Sequence, residues 1–470
     1  MYLIPDGLFE EGFFVPRPVA LLRPHARLFA SARSRILFVA AGLILTACAQ
    51  TNVAAPPSET QEATPPSSTA APALPQNVMP VPVIPELLAD PEITRAALII
   101  PLSGPAAAIG RDLADAAQMA LFYFAVPKFE LRIYDSGGNA QTARNAAVRA
   151  QAEGARLVLG PLFSEAVAGT SSVSRPAGIP VFAFSNDGLI AGDGVYAAGF
   201  SPEAQIDRVV AFATRRGLSE FAALVPDDGF GSRMSAILSD VVARHGAGVA
   251  ATAFYPGGVE ALTETIRTLA HYDERVEALK AERKLLAARD DAFSKRALER
   301  LSTRDTLGEV GFEALMLPVG GEEVLQVAPV LAFFDVDPQQ VKLLGTWVWD
   351  DPALGKEPAM LGAWFAAPPP DARARFVERF SELFGRAPDR LATLAYDAVA
   401  LAAVLARGDG PDPFARARLE NPDGFAGVDG IFRLRETGAV ERGLAVLEVR
   451  RDAPREIDPA PTSFAAPVTN

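Results

Sequence analysis

Residues 96–101 read Ala96-Ala97-Leu98-Ile99-Ile100-Pro101, a continuous apolar run closed by a proline. A short run without alternation fits a strand of a parallel sheet covered on both faces. In the stretch 110–124 that follows, Leu113, Ala116, Ala117, Ala120, Leu121 and Phe124 recur at three and four residues. That spacing draws one buried stripe on a helix. The alternation continues with strands at 129–134, 157–159 and 181–184 and helices at 140–153 and 164–175. A second series has helices at 202–216 and 232–245 and strands at 221–225, 249–254, 314–317 and 341–344. Strand and helix in alternation predict an α/β fold, here two doubly wound lobes with a ligand cleft between them.

Ligands of such sheets bind beyond the carboxyl ends of the strands, so the loops there are the candidate site. Five loops fit that place: Pro101-Leu102-Ser103-Gly104-Pro105, Asp135-Ser136-Gly137-Gly138, Gly160-Pro161-Leu162-Phe163-Ser164, Ser185-Asn186-Asp187-Gly188 and Pro226-Asp227-Asp228-Gly229-Phe230-Gly231. Backbone N–H groups at helix N-termini attract the anionic part of a ligand. The same residue types also cap helices and form turns, and both readings stand at this point.

The full chain of 470 residues has 49% hydrophobic and 21% charged residues, which excludes a disordered or fibrous protein. Its net charge of −13 argues against a nucleic-acid partner, whose binding surface needs clustered Lys and Arg. One Cys and three His exclude a disulfide framework and zinc fingers, so no metal and no cofactor is expected. There is no Walker A loop and no Gly-x-Ser-x-Gly elbow, and no catalytic residue is assigned. The expectation is a protein that is not an enzyme.

Arg23, Arg27, Arg33 and Arg35 precede an apolar run at 36–45 that stops at Cys48. This order reads as an export signal, and a run half the length of a spanning helix cannot cross a bilayer. The ending Leu45-Thr46-Ala47-Cys48 resembles the bacterial lipobox, which implies cleavage after residue 47 and acylation of Cys48. Two or three acyl chains, at about 0.8 kcal/mol per buried methylene, would anchor the chain durably. The acidic, aromatic stretch Leu8-Phe9-Glu10-Glu11 does not suit a basic leader, so the translation start is expected to lie later than residue 1. Ala49 in place of Asp after the Cys points to the periplasmic face of the outer membrane. Residues 48–93 are rich in Pro, Ala, Ser and Thr and cannot bury a core. Extended at about 3.1 Å per residue, they would reach on the order of 130 Å.

The phrases Pro101-Leu102-Ser103-Gly104-Pro105, Gly160-Pro161 with Ser164, Ile179-Pro180-Val181 and Phe230-Gly231 resemble type I periplasmic binding proteins of the leucine/isoleucine/valine-binding kind. Ser185-Asn186-Asp187, the stretch 424–434 (GFAGVDGIFRL) and Glu441-Arg442-Gly443-Leu444-Ala445-Val446 are most similar to the lipoprotein subgroup called penicillin-binding protein activators. The resemblance implies a domain over 94–458, with lobe 1 at 94–198 and 346–429, lobe 2 at 199–345 and 430–458, and a tail at 459–470. It also implies a ligand site of Ser103, Ser164, Ser185, Asn186, Asp187, Phe230 and Trp347. Ser164 matches the serine that holds an amino acid's carboxylate, and Asn186 and Asp187 occupy the loop of the next carboxylate-binding pair. Phe230 stands where an aromatic covers the ligand, and Trp347 near the acid that pairs with the ammonium group. Asp in the carboxylate loop and Trp at the acid's place depart from amino-acid recognition.

Between Val259 and Val310 the residues Leu262, Ile266, Leu269, Val276, Leu279 and Leu286 fit one helical face amid many charges. Two readings follow, a solvated helix on its own lobe or a docking arm at 263–306. For the whole protein the expectation is a penicillin-binding protein activator that regulates peptidoglycan synthesis. The alternative is the substrate-binding component of an ABC transporter, with a permease as partner and a small polar solute as ligand.

Overall fold

A computed structural model describes residues 93–464 apart from 337 and 409. The leader expected at 1–47, Cys48 and the expected linker up to residue 92 lie outside the described residues.

The chain order opens with β1 (Thr94–Ile100), α1 (Ala107–Phe124), β2 (Phe129–Asp135), α2 (Ala140–Ala152), β3 (Ala155–Leu159), α3 (Ser164–Ser174), β4 (Val181–Ala183) and β5 (Val195–Ala197). It continues through α4 (Pro202–Arg215), β6 (Glu220–Pro226), α5 (Gly229–Arg244), β7 (Gly248–Tyr255), α6 (Val259–Leu269), α7 (Tyr272–Ala287), α8 (Ala292–Leu301), β8 (Ala314–Met316), α9 (Gly321–Phe333), β9 (Lys342–Gly345) and β10 (Trp364–Ala367). Last come α10 (Pro370–Phe384), α11 (Ala392–Ala406), α12 (Arg416–Leu419), β11 (Phe425–Gly427), β12 (Gly430–Leu434), β13 (Val440–Arg442), β14 (Ala445–Glu448) and β15 (Arg455–Asp458).

β1 sits inside the first sheet, ordered β2-β1-β3-β4-β5, and pairs in parallel with β2 and β3. Its Ala96, Leu98 and Ile100 enter one core with α1 and α11, while Ala97 and Ile99 enter another with α2 and α3. The unbroken apolar run thus serves two covered faces. Burying Leu98, Ile99 and Ile100, none with any exposed surface, stabilises by about 1.5–3 kcal/mol each. The second sheet repeats the plan. Strands β7-β6-β8-β9-β10 are all parallel in the corresponding order, and antiparallel β14 and β15 extend its edge.

In each lobe a glycine near the start of the helix that follows the first strand presses against the proline that closes that strand. A Cβ on Gly110 would overlap the Pro101 carbonyl oxygen, and one on Gly231 that of Pro226.

The passages between the lobes fall elsewhere than the resemblance placed them. β10 belongs to the second sheet, so 346–367 is part of lobe 2, and the return to lobe 1 comes at Pro368-Pro369. β12 pairs with β11 on one side and β13 on the other in a three-stranded sheet whose Phe425, Phe432, Leu434 and Val440 join the lobe 1 core, so 430–442 is part of lobe 1. The final passage is Gly443-Leu444. The cause is strand pairing, which short runs such as Trp364-Phe365-Ala366-Ala367 do not reveal by themselves. Residues 459–464 are packed rather than trailing: Arg208 donates to the Asp458 and Pro459 carbonyls, and Phe464 lies 4.5 Å beneath the Arg433 guanidinium.

The segment 259–310 is not one helix. α6 ends at Leu269, His271 takes a left-handed backbone (φ 49°), and α7 and α8 follow as separate helices. Leu262, Ile266 and Leu269 bury into the lobe 2 core. Arg275 is buried and bonds to Thr306 Oγ1 at 2.8 Å, Asp335 Oδ2 at 3.1 Å and the Gly308 carbonyl at 3.2 Å. Arg283 donates to the carbonyls of Leu301 and Arg304.

Candidate functional site

Both parallel sheets reverse strand order beside their first strand, and the loops there make a crevice at the carboxyl ends. In lobe 2 the loops after β6, β8 and β9 line an open cavity of about 550 Å³, bordered by Asp228, Phe230, Gly320, Glu323 and Val348 among others. Asp228 caps α5 by accepting from the Gly231 N–H at 2.8 Å. Glu323 accepts from the Tyr255 hydroxyl at 2.6 Å. Burial first and Glu323 second push the Tyr255 phenol well above its usual range, so it stays a donor. Phe230 remains 38% exposed, leaving ring surface free for a ligand.

In lobe 1 the corresponding loops supply hydroxyls. Ser164, where α3 starts without a side-chain cap, meets the buried Ser185 with an Oγ–Oγ distance of 3.1 Å. Ser185 Oγ also accepts from the Asp187 N–H at 3.2 Å. Ser103 plays another part: its hydroxyl and its N–H both go to Asp135, which also accepts from the N–H groups of Leu102 and Gly137. Burial pushes the Asp135 carboxyl up, but these donors together hold it below its usual value. Ser103 therefore shapes its loop. Asn186 is exposed.

Asp187 accepts from the Leu189 N–H at 3.1 Å and lies 3.8 Å from Arg233 on α5 of the opposite lobe. The ion pair spans the cleft. Trp347 is also committed elsewhere, because its ring packs 4.7 Å from Phe200 and 4.9 Å from the Arg390 guanidinium. The backbone N–H of Trp347 donates to Gln205 Oε1 at 2.8 Å, and Gln205 itself holds the Phe200 and Ser201 carbonyls of the first passage between lobes. The structure thus groups Ser164, Ser185 and Asp187 on one side, places Phe230 on the other, and sets Trp347 at the hinge. Sequence reasoning missed Arg233, Glu323 and Val348. The loop Leu317-Pro318-Val319-Gly320-Gly321 follows a strand and precedes a helix, the same signal that marked the other five.

Among the described residues no His, Cys, Asp or Glu cluster suits a metal ion.

Comparison with known proteins adds the following. The family described as Periplasmic binding protein matches residues 94–454. A Rhodospirillum rubrum protein assigned to branched-chain amino acid ABC transport superposes with a TM-score of 0.61 at 19% identity, covering 78% of this chain and all of that one. An ABC transporter substrate-binding protein from Desulfitobacterium hafniense, solved in complex with Leu, gives 0.54 at 16% identity, covering 78% and 100%. At such identities the likeness carries the fold alone. An uncharacterized protein of Rickettsia prowazekii (strain Madrid E) is 23% identical over 175 residues, 37% of this chain. The match spans about half the length of that relative, 47%.

Proposed function

Because the chain belongs to the periplasmic binding protein family, we propose that it is a non-catalytic receptor of the periplasm whose cleft takes a small polar ligand, as the substrate-binding partner of an ABC permease. The observation that carries this reading is the cavity at the lobe 2 reversal point, matched in lobe 1 by the Ser164–Ser185 hydroxyl pair at the equivalent place. Calorimetry of the purified chain against a panel of small carboxylates, amines and amino acids tests it, with Phe230→Ala as the cleft control. Binding that Phe230→Ala abolishes supports the receptor; no binding across the panel opposes it.

A second reading is the penicillin-binding protein activator, in which surface rather than cleft makes the functional contact. The Asp187–Arg233 pair favours it, since charges that would meet an amino acid already meet each other. So does the arm of α6, α7 and α8, whose charged faces are exposed while Arg275 and Arg283 tie it down. Pull-down of penicillin-binding proteins from membrane extract, with and without residues 263–306, decides: capture lost on deletion supports the activator. Acylation of Cys48 and attachment to the outer membrane belong to both proposals. Mass spectrometry of the membrane form tests the first, and an unmodified chain retaining residues before Cys48 would overturn it.

A further inference from the structure

Where the lobes join lies a small charged cluster, largely withdrawn from water. Asp397 on α11 and Asp429 in the β11–β12 turn are buried, and Arg442 at the end of β13 is half-buried with its Nε and Nη1 turned inward. Asp397 accepts from the N–H groups of Val428 at 2.8 Å and Asp429 at 3.4 Å. Both Asp429 side-chain oxygens, and Nε and Nη1 of Arg442, find no hydrogen-bond partner among the described residues. Buried polar atoms are rarely left so, and the charges here answer one another through their fields.

The cluster touches the passages between the lobes. Arg442 immediately precedes Gly443-Leu444, and its Nη2 donates at 2.7 Å to the carbonyl of Ala198, where the first passage begins. Its guanidinium lies 5.1 Å from the ring of Phe200 in that passage and 5.4 Å from Phe432 of the hairpin. Beside Asp429, a Cβ on Gly430 would press on Pro369 of the second passage. Motion of one lobe against the other must pass through these residues.

We propose that Asp397, Asp429 and Arg442 form a proton-operated lock on the hinge: with Asp397 protonated, one guanidinium faces one carboxylate and the passages are clamped; with the proton lost, two neighbouring carboxylates repel and the passages loosen. The inference rests on the hinge and is independent of what the cleft binds. Burial first, and the field of Asp429 second, push the Asp397 carboxyl up to about 7, against Arg442 and the two N–H donors. Tyr396 on the same helix is the other titrating group beside it, and burial with the Asp397 charge keeps its phenol protonated. The sign follows from the folded form holding the Asp397 proton more tightly than the unfolded one. Its stabilisation is full below about pH 4 and is lost as pH rises through about 7.

Amide hydrogen exchange on the full-length chain without added ligand, corrected for intrinsic rates, tests the lock from pH 5 to pH 8.5. Protection at residues 198–201 and 443–445 should fall about tenfold, with a midpoint near pH 7. Asp397→Asn should remove that step while leaving β6 unchanged, and Asp429→Asn, which relieves the repulsion, should move the midpoint down. If Asp397→Asn does not fold, the Asp429→Asn shift decides. A flat wild-type profile, a step that persists in Asp397→Asn, or an unmoved midpoint in Asp429→Asn would each overturn the proposal.

Discussion

The two lobes share a strand order and a packing device, yet their cleft loops carry different chemistry. Lobe 1 offers hydroxyls from Ser164 and Ser185, whereas lobe 2 offers an aromatic face and two carboxylates, from Phe230, Asp228 and Glu323. Strand order follows from apolar runs that must be covered on both faces, and that demand is the same in each half. Loop chemistry is under no such demand. The scaffold is therefore duplicated while the site is divided between unlike halves, and a ligand would have to satisfy both.

The comparison can be broken most decisively by ligand binding. With Trp347 turned to the hinge and the Asp187 carboxylate set against Arg233 at the cleft, leucine, isoleucine and valine should bind about a thousandfold more weakly than to a site with matched charges, a loss of about 4 kcal/mol. Micromolar binding of any of the three by calorimetry would show that the lobes complement an amino acid after all.

The equivalence of the two halves is tested next by Gly110→Val and Gly231→Val. Each should cost about 3 kcal/mol or more, because the new side chain meets strand backbone that cannot move aside. Urea unfolding of both variants checks this, and tolerance of one but not the other would show that the packing device is not shared. Arg275→Ala probes the arm of α7 and α8, which has no counterpart between β2 and β3 of lobe 1. Loss of the buried guanidinium should cost about 2 kcal/mol, less than a fully buried pair because Asp335 is partly exposed. Limited proteolysis should then cut within 270–306 before the lobes.

The smallest effect concerns Asp187–Arg233, one of the ion pairs that bridge the lobes. Arg233 is half-exposed, so Arg233→Ala should change stability by no more than about 1 kcal/mol. A chemical-denaturation midpoint that moves further, or that keeps its salt dependence in the variant, would show the cleft contact to be something other than a screened surface pair.

The alternation of apolar runs and striped helices settled the fold from the sequence, and elements such as the helix expected at 202–216 and found at Pro202–Arg215 differ only at their ends. Periodicity is local, and a residue's neighbours along the chain suffice to show it. The loops after strands were legible for the same reason, and the structure places Ser164, Ser185 and Phe230 on them. What the tertiary structure alone decided is which of those side chains are free for a ligand. Ser103 is consumed by Asp135, Asp187 reaches Arg233 from the other lobe, and Trp347 packs on Phe200 across 147 positions of sequence. The lobe boundaries at Pro368 and Gly443 and the charged cluster of Asp397, Asp429 and Arg442 depend likewise on pairings between distant segments. Hydrogen bonds and buried charge are fixed by where the chain returns to itself, and no spacing in the sequence encodes that return.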